Sequence, residues 1–436
     1  MTLPPSVPSP GWAPSGACPY SAPSAAISSA EPVALFGPEY EANPRAVYER
    51  LRAMGPIAPV EIAPRVYGQI TTTYAAALHL LRNTPEKFAK DPDHWAALRS
   101  GQVPADSPAL PLLQRRPNAL WMDGPAHARL RQSITDSLAR VDTHDLAVTV
   151  TRIADALIDT FAPRGHADLV ADYGGLLPTL VLIDMFGGSP EVSRRIVAAL
   201  RKLFSVAHDA VQANRDLEAA CLELVRIKRR QPGMDATSWL LDHPVGLTDD
   251  EMVQQMLLVF GAASQPSTNL ITTALLLMLD DDRFAGNVYD GVLPVSAALD
   301  DVLWEETPVA NYCPLYPRYP TTYENVPLQP GVPVLVSFAM ANTDPRFTPY
   351  ADRHAGNAAH LAFSAGVHGC AGPDLARIIC ETAVERVLDR LPDLALARPR
   401  HQLPRQQGWF LSGWASVPIT FPPAPLVAAH TPLGAR

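Results

Sequence analysis

Cys370 is the residue of this chain best placed to do chemistry. It lies in Leu361-Ala-Phe-Ser-Ala-Gly-Val-His-Gly-Cys-Ala-Gly-Pro-Asp-Leu-Ala-Arg377, flanked by Gly366, Gly369 and Gly372. Glycines let a backbone close tightly and bring N–H groups near a sulfur. Pro373 suits the first position of a helix, where its missing N–H costs nothing. The positive end of that helix favours a thiolate over a thiol. A thiolate in such a loop is a metal ligand or a nucleophile. A buried structural cysteine would not need these glycines around it. A nucleophile would want a base such as the nearby His368, although Cys–His pairs are usually assembled from distant segments. Zinc would need more ligands at short spacing, and the chain has no Cys-x-x-Cys.

A second constellation is His127 and Arg131. They fall at i and i+4, on one face of a helix opened by Asp123-Gly-Pro125. Such a pair is either a solvated basic helix end or an anion clamp.

The elements that must position these groups can be read in outline. Asn43-Pro44 caps an amphipathic helix over 45–52, followed by Gly55-Pro56 and strand-like segments at 57–62 and 65–72. Between Asp142 and Arg230 helical patterns alternate with short loops, among them 154–161 and 194–207. Thr248-Asp-Asp-Glu251 is a capping box that opens an apolar run to Leu279, long enough to cross a molecule, with Pro266 in its middle. The β-branched run 332–339 predicts a strand.

Composition sets bounds. At 436 residues, 47% hydrophobic and 18% charged, the chain can bury a large core. A net charge of −9 argues against nucleic acid as a partner. No long uncharged apolar run and no basic start followed by an apolar block predict a cytoplasmic protein without membrane association. Five scattered cysteines suit a reducing compartment. Residues 1–34 and 424–436 read as Pro/Ser/Ala-rich tails around one domain at 35–423.

The pattern Phe363-x-x-Gly366-x-His368-x-Cys370-x-Gly372 resembles the haem-binding loop of the cytochrome P450 family, and Leu375-Ala-Arg377 follows it as in bacterial members. The resemblance runs in order through His127, Arg131, Arg318 and Ala341-Asn342-Thr-Asp344-Pro345. It implies a mainly α fold with a smaller β-rich part, and a haem b between the long helix and the cysteine loop. Cys370 would be the iron ligand, with Phe363 and Gly372 framing its loop. His127, Arg131, Arg318 and His368 would hold the haem carboxylates. The implied activity is haem-thiolate monooxygenation of a small organic substrate. Electrons would come from a ferredoxin and its reductase, docked where Arg129, Arg131 and Arg377 offer positive charge.

Two signatures depart from the family. Its Ala-Gly-x-Asp/Glu-Thr reads Ala262-Ala263-Ser264-Gln265-Pro266, so Gln265 and Pro266 stand at the oxygen-side positions. Glutamine does not titrate and proline has no hydroxyl, so neither replaces an acid–hydroxyl relay. The Glu-x-x-Arg pair reads Asp301 and Trp304. An apolar replacement of a buried ion pair is often neutral for stability. This second departure resembles actinobacterial members encoded beside small GTPase-signalling proteins, which implies signalling-operon proteins as partners. The alternative function is a haem-thiolate protein that binds ligands, serves a regulatory role or uses peroxide.

Overall fold

The computed structural model describes residues 31–203, 210–281, 294–347 and 357–427. Five helices carry the architecture around the cysteine loop: α1 (Gly124–Leu138), α2 (Thr143–Phe161), α3 (Asp249–Asp280), α4 (Val295–Glu305) and α5 (Pro373–Arg390). The capping box at the start of α3 is formed in both directions. Glu251 N–H donates to Thr248 Oγ1 at 3.2 Å, and Thr248 N–H donates to Glu251 Oε2 at 2.9 Å. With 32 residues, α3 spans about 48 Å. Its helical turns continue through Pro266. Leu270, Ala274 and Leu275 of α3 pack with Leu299 and Val302 of α4 and with Ala383 and Val384 of α5 in one buried cluster.

The far half of α5 is fixed by charge. Asp155 on α2 accepts from Arg386 Nε at 2.6 Å and from Arg390 Nη1 at 2.7 Å. Burial alone would raise the Asp155 carboxyl, yet the two arginines hold it below its ordinary range. This clamp sets the axis of the helix that begins just after Cys370.

Among the described residues the β-rich part is a six-stranded sheet plus two small ones. The strands are β1 (Val33–Ala34), β2 (Ile57–Ala63), β3 (Val66–Thr71), β4 (Phe88–Ala89), β5 (His166–Asp168), β6 (Asn311–Pro317), β7 (Thr321–Tyr323), β8 (Val326–Leu328), β9 (Val334–Ser337), β10 (Ala395–Leu396) and β11 (Pro418–Thr420). The large sheet runs β1-β2-β3-β9-β6-β4. The β2–β3 hairpin matches the two strand segments read from the sequence, with Ile57 opposite Thr71. In contrast, β9 is shorter than expected. Ser337 Oγ accepts from Met340 N–H at 3.2 Å and caps a short helix, so Phe338 and Ala339 leave the strand.

The tails also differ from expectation. Residues 1–30 and 428–436 lie outside the described residues. Val33 and Ala34 instead form β1, parallel to Val60 and Glu61 of β2. At the other end Ala424 N–H donates to Ala162 O at 3.1 Å and Val427 N–H to Asp159 Oδ1 at 3.2 Å. The helix expected over 194–207 is observed as Pro190–Leu203, and its final residues lie outside the described ones.

Candidate functional site

The cysteine loop is built by its glycines. Gly366 has φ +71°, and a Cβ there would sit 2.4 Å from the carbonyl oxygen of Leu81, so only glycine fits. Gly369 N–H donates to Gly366 O at 3.0 Å, and Cys370 N–H donates to Phe363 O at 2.8 Å. Gly372 is the N-cap of α5, with Pro373 in the first turn. Burial pushes the Cys370 thiol up, while the N–H groups of Gly372 and Ala371 and the Arg131 guanidinium pull it down. Those same groups would stabilise a thiolate once a cation binds to it.

Cys370 faces an open cavity of about 290 Å³. That lies near the lower end of ordinary small-molecule sites, roughly 300–1,000 Å³. Phe363, His368 and Gly372 share the floor with Cys370, and Ala263, Pro266, Ser267 and Leu270 of α3 line the wall. Gln265 does not line it. Its amide lies 3.4 Å from Asn269 Oδ1, because each residue turns about 100° around a 3.6-residue helix and Gln265 falls off the face bearing Pro266. The expected placement of Gln265 in the pocket is therefore corrected. The hydroxyls of Ser264 and Thr268 are engaged, with Ser264 donating to Phe260 O and Thr268 donating to Gly174 O at 2.8 Å.

At one edge of the floor the four anion-holding candidates converge. The rings of His127 and His368 stand 4.1 Å apart. Arg131 lines the cavity. Arg318 reaches the group through Asp123, donating from Nη2 to Oδ2 at 3.0 Å, and His368 Nε2 stands 3.9 Å from Asp123 Oδ1. Arg318 itself is not part of the cavity lining. Burial, then His368 and Arg131, pull His127 down to about 4, and burial lowers His368 as well. Buried Nε2 atoms of both histidines lack a hydrogen-bond partner. Unsatisfied buried polar atoms are rare, and two beside an arginine suit an acidic ligand edge. From the sequence, Asp123 is only a helix starter. Its carboxylate does not cap α1 but accepts the Lys90 N–H at 3.0 Å and the Asp91 N–H at 3.3 Å.

Behind the loop, Trp304 is 1% exposed. Its Nε1 donates to Asn357 O at 2.9 Å, and its ring meets His360 edge-on at 5.8 Å. His360 in turn lies 5.7 Å from Phe363. Next to it on α4, Asp300 accepts from Arg377 Nη1 of α5 at 2.7 Å. The Ala341–Pro345 segment also serves the loop, since Asn342 Oδ1 accepts from Leu361 N–H at 2.7 Å. The expected docking arginines are largely engaged within the protein. Arg129 pairs with Glu251, Arg377 pairs with Asp300, and Arg131 turns into the cavity.

Among the described residues no group of three or more His, Cys, Asp or Glu is arranged to hold a metal ion. A single cysteine with an anion-binding edge beside it fits a metal carried inside a macrocycle. No helix among the described residues is long and apolar enough to cross a membrane.

No family model matches the chain. Individual proteins do. It is 30% identical over 373 residues to a steroid C26-monooxygenase of Mycobacterium tuberculosis, covering 81% of this chain and 95% of that one. It is 29% identical over 384 residues to the 2-hydroxy-5-methyl-1-naphthoate 7-hydroxylase of Streptomyces carzinostaticus, covering 85% and 93%. Among solved structures, CYP154C4 from Streptomyces sp. ATCC 11861 superposes with a TM-score of 0.83 at 24% identity, covering 91% of this chain and 99% of that one. That likeness shows a shared fold. With relatives at this identity covered almost end to end, the chain belongs to the cytochrome P450 family, whose cofactor is haem.

Proposed function

We propose that the chain is a haem-thiolate monooxygenase acting on a small, apolar, uncharged organic substrate. The observation that carries this reading is the cavity itself, with Cys370 on its floor and apolar residues such as Leu182, Leu258 and Val259 on its walls. Among the described residues no carboxylate lines it, and the charged or titratable partners it offers a ligand are Arg131 and His368 at the floor edge. Haem held by Cys370 supplies the oxidising chemistry when bound. His127, Arg131, Arg318 and His368 orient it by its carboxylates, and Phe363 and Gly372 shape the loop. Residues 35–423, extended by Val33–Ala34 and by 424–427, act as one haem domain, with a ferredoxin, its reductase or a signalling-operon protein on the cysteine side.

Arg318→Ala is expected to weaken haem binding by about 1.5–3 kcal/mol, the usual worth of a hydrogen bond to a charged group. Unchanged haem retention, measured by transfer to an acceptor protein, would remove Arg318 from the set.

A second reading, ligand binding or peroxide use without ordinary turnover, is favoured by Pro266 on the wall. Proton delivery there lacks both a carboxylate and the threonine hydroxyl, and Ser267 is the hydroxyl of α3 that lines the cavity. Reconstitution with ferredoxin and reductase, compared with peroxide alone, separates the two. The parent is expected to consume more dioxygen than it converts to product. Gln265→Glu with Pro266→Thr is expected to raise the product-to-dioxygen ratio toward unity, with Pro266→Thr giving most of the gain. Tight coupling in the parent would show a relay that uses Ser267 or the substrate.

A further inference from the structure

We infer that Lys90 supplies a buried positive charge that helps to neutralise the haem carboxylates and raises the reduction potential of the haem. This rests on the haem-thiolate reading above. Lys90 follows β4 and is wholly buried, at 0% exposure. Its Nζ donates to Cys313 O at 2.7 Å and lies 3.4 Å from Pro314 O, both on β6. It also stands 3.9 Å from the centre of the Tyr312 ring and 5.3 Å from that of Trp121. Carbonyls and aromatic faces solvate an ammonium but do not cancel its charge. Among the described residues its Nζ forms no ion pair, and Asp123 acts on it from longer range. A buried charge without a close counter-ion is costly, which leaves room for a further anionic partner.

On β6, Tyr312, Cys313 and Tyr316 are all held in their neutral forms by burial. On the α1 side the facing anion is Asp123, which already receives Arg318 and the Lys90 and Asp91 N–H groups. Burial lowers the Lys90 ammonium to about 8, which leaves it charged at neutral pH. Lys90, Arg131 and Arg318 thus stand against Asp123, an excess of two positive charges, and a haem brings two carboxylates. Tyr312, which Lys90 overlies, lines the cavity together with Cys313. Lys90 does not line it, so it acts through the field and through Tyr312 as a positioning residue. Reduction adds one electron, delivered by the one-electron donor, and a fixed positive charge in a low-dielectric interior favours the reduced form.

The test uses the full haem-loaded chain as parent, Lys90→Met and Lys90→Gln, read by spectroscopic redox titration and by unfolding of the haem-free proteins. Lys90→Met is expected to lower the reduced-to-oxidised ratio at a fixed applied potential about tenfold, a fall of about 59 mV for a one-electron couple. Its haem-free form is expected to unfold no more easily than the parent, because an uncompensated charge has gone. Lys90→Gln keeps an N–H donor without the charge and is expected to show the same fall. If Lys90 is only a strut for β6, Gln restores the parental potential and Met loses stability with and without haem, which overturns the inference. Absence of a thiolate spectrum in the parent would overturn the haem reading itself. A parent with that spectrum and variants with its potential would overturn the role of Lys90 alone.

Discussion

Cys370→Ala is expected to abolish the thiolate-type Soret band of the reduced, carbon-monoxide-treated protein and to weaken haem retention sharply. The thiol is the floor atom with backbone N–H groups of Ala371 and Gly372 and the Arg131 guanidinium arranged around it. On the reading proposed above, His127, Arg131, Arg318 and His368 would hold the haem carboxylates and not the iron. A second cysteine, Cys313, does line the cavity, but it lies on β6, where its carbonyl accepts from Lys90 Nζ. Cys313→Ala therefore serves as the control and is expected to keep the band. An unchanged spectrum in Cys370→Ala, or its loss in Cys313→Ala, would move the axial ligand and sink the assignment.

Trp304→Ala is expected to destabilise the chain by about 3–5 kcal/mol, the range for truncating a large core aromatic. The indole is packed between Phe347, at 6.4 Å, and His360, and its N–H satisfies the Asn357 carbonyl. Truncation leaves a void and an unsatisfied acceptor directly behind the cysteine loop. Trp304→Phe is expected to cost less, since it keeps much of the packing and loses only the hydrogen bond. Trp304→Arg is expected not to rescue stability, because the pocket is shaped by rings. Denaturant unfolding of the three variants is the measurement. A parental midpoint for Trp304→Ala would mean that the indole is not what supports the loop.

What could be read from the chain divides by the range of the forces involved. The cysteine loop was legible because its requirements are local. Gly366 adopts a positive φ that favours glycine, and Pro373 suits the first turn of the helix that follows. The capping box of α3 is equally local, a contact between residues three apart. The end of β9 was not legible, because a β-branched run carries no sign that Ser337 will turn and cap a helix. Val33 and Ala34 looked like tail because their partner, β2, is what makes them a strand. Gln265 was assigned to the pocket by its place in an aligned motif, whereas rotation around α3 decides which residues face it. Lys90 and Asp123 escaped notice for the same reason. An isolated lysine and an ordinary N-cap acquire meaning only when β4, β6 and α1 are brought together.

The walls of the cavity come from stretches near residues 119–138, 258–270, 303–313 and 362–379, and the large sheet joins β3 to β9 and β4 to β6 across the intervening helices. No fragment of the chain presents the site by itself. Whatever binds there binds the native state and not the unfolded one, so occupancy acts on the whole molecule by mass action. Free ligand at 100 times its dissociation constant adds about 2.7 kcal/mol to the folding equilibrium. Cofactor supply in the cell is in this sense a control on how much of the chain stays folded, and a weaker grip on the cofactor would register first as a smaller pool of protein.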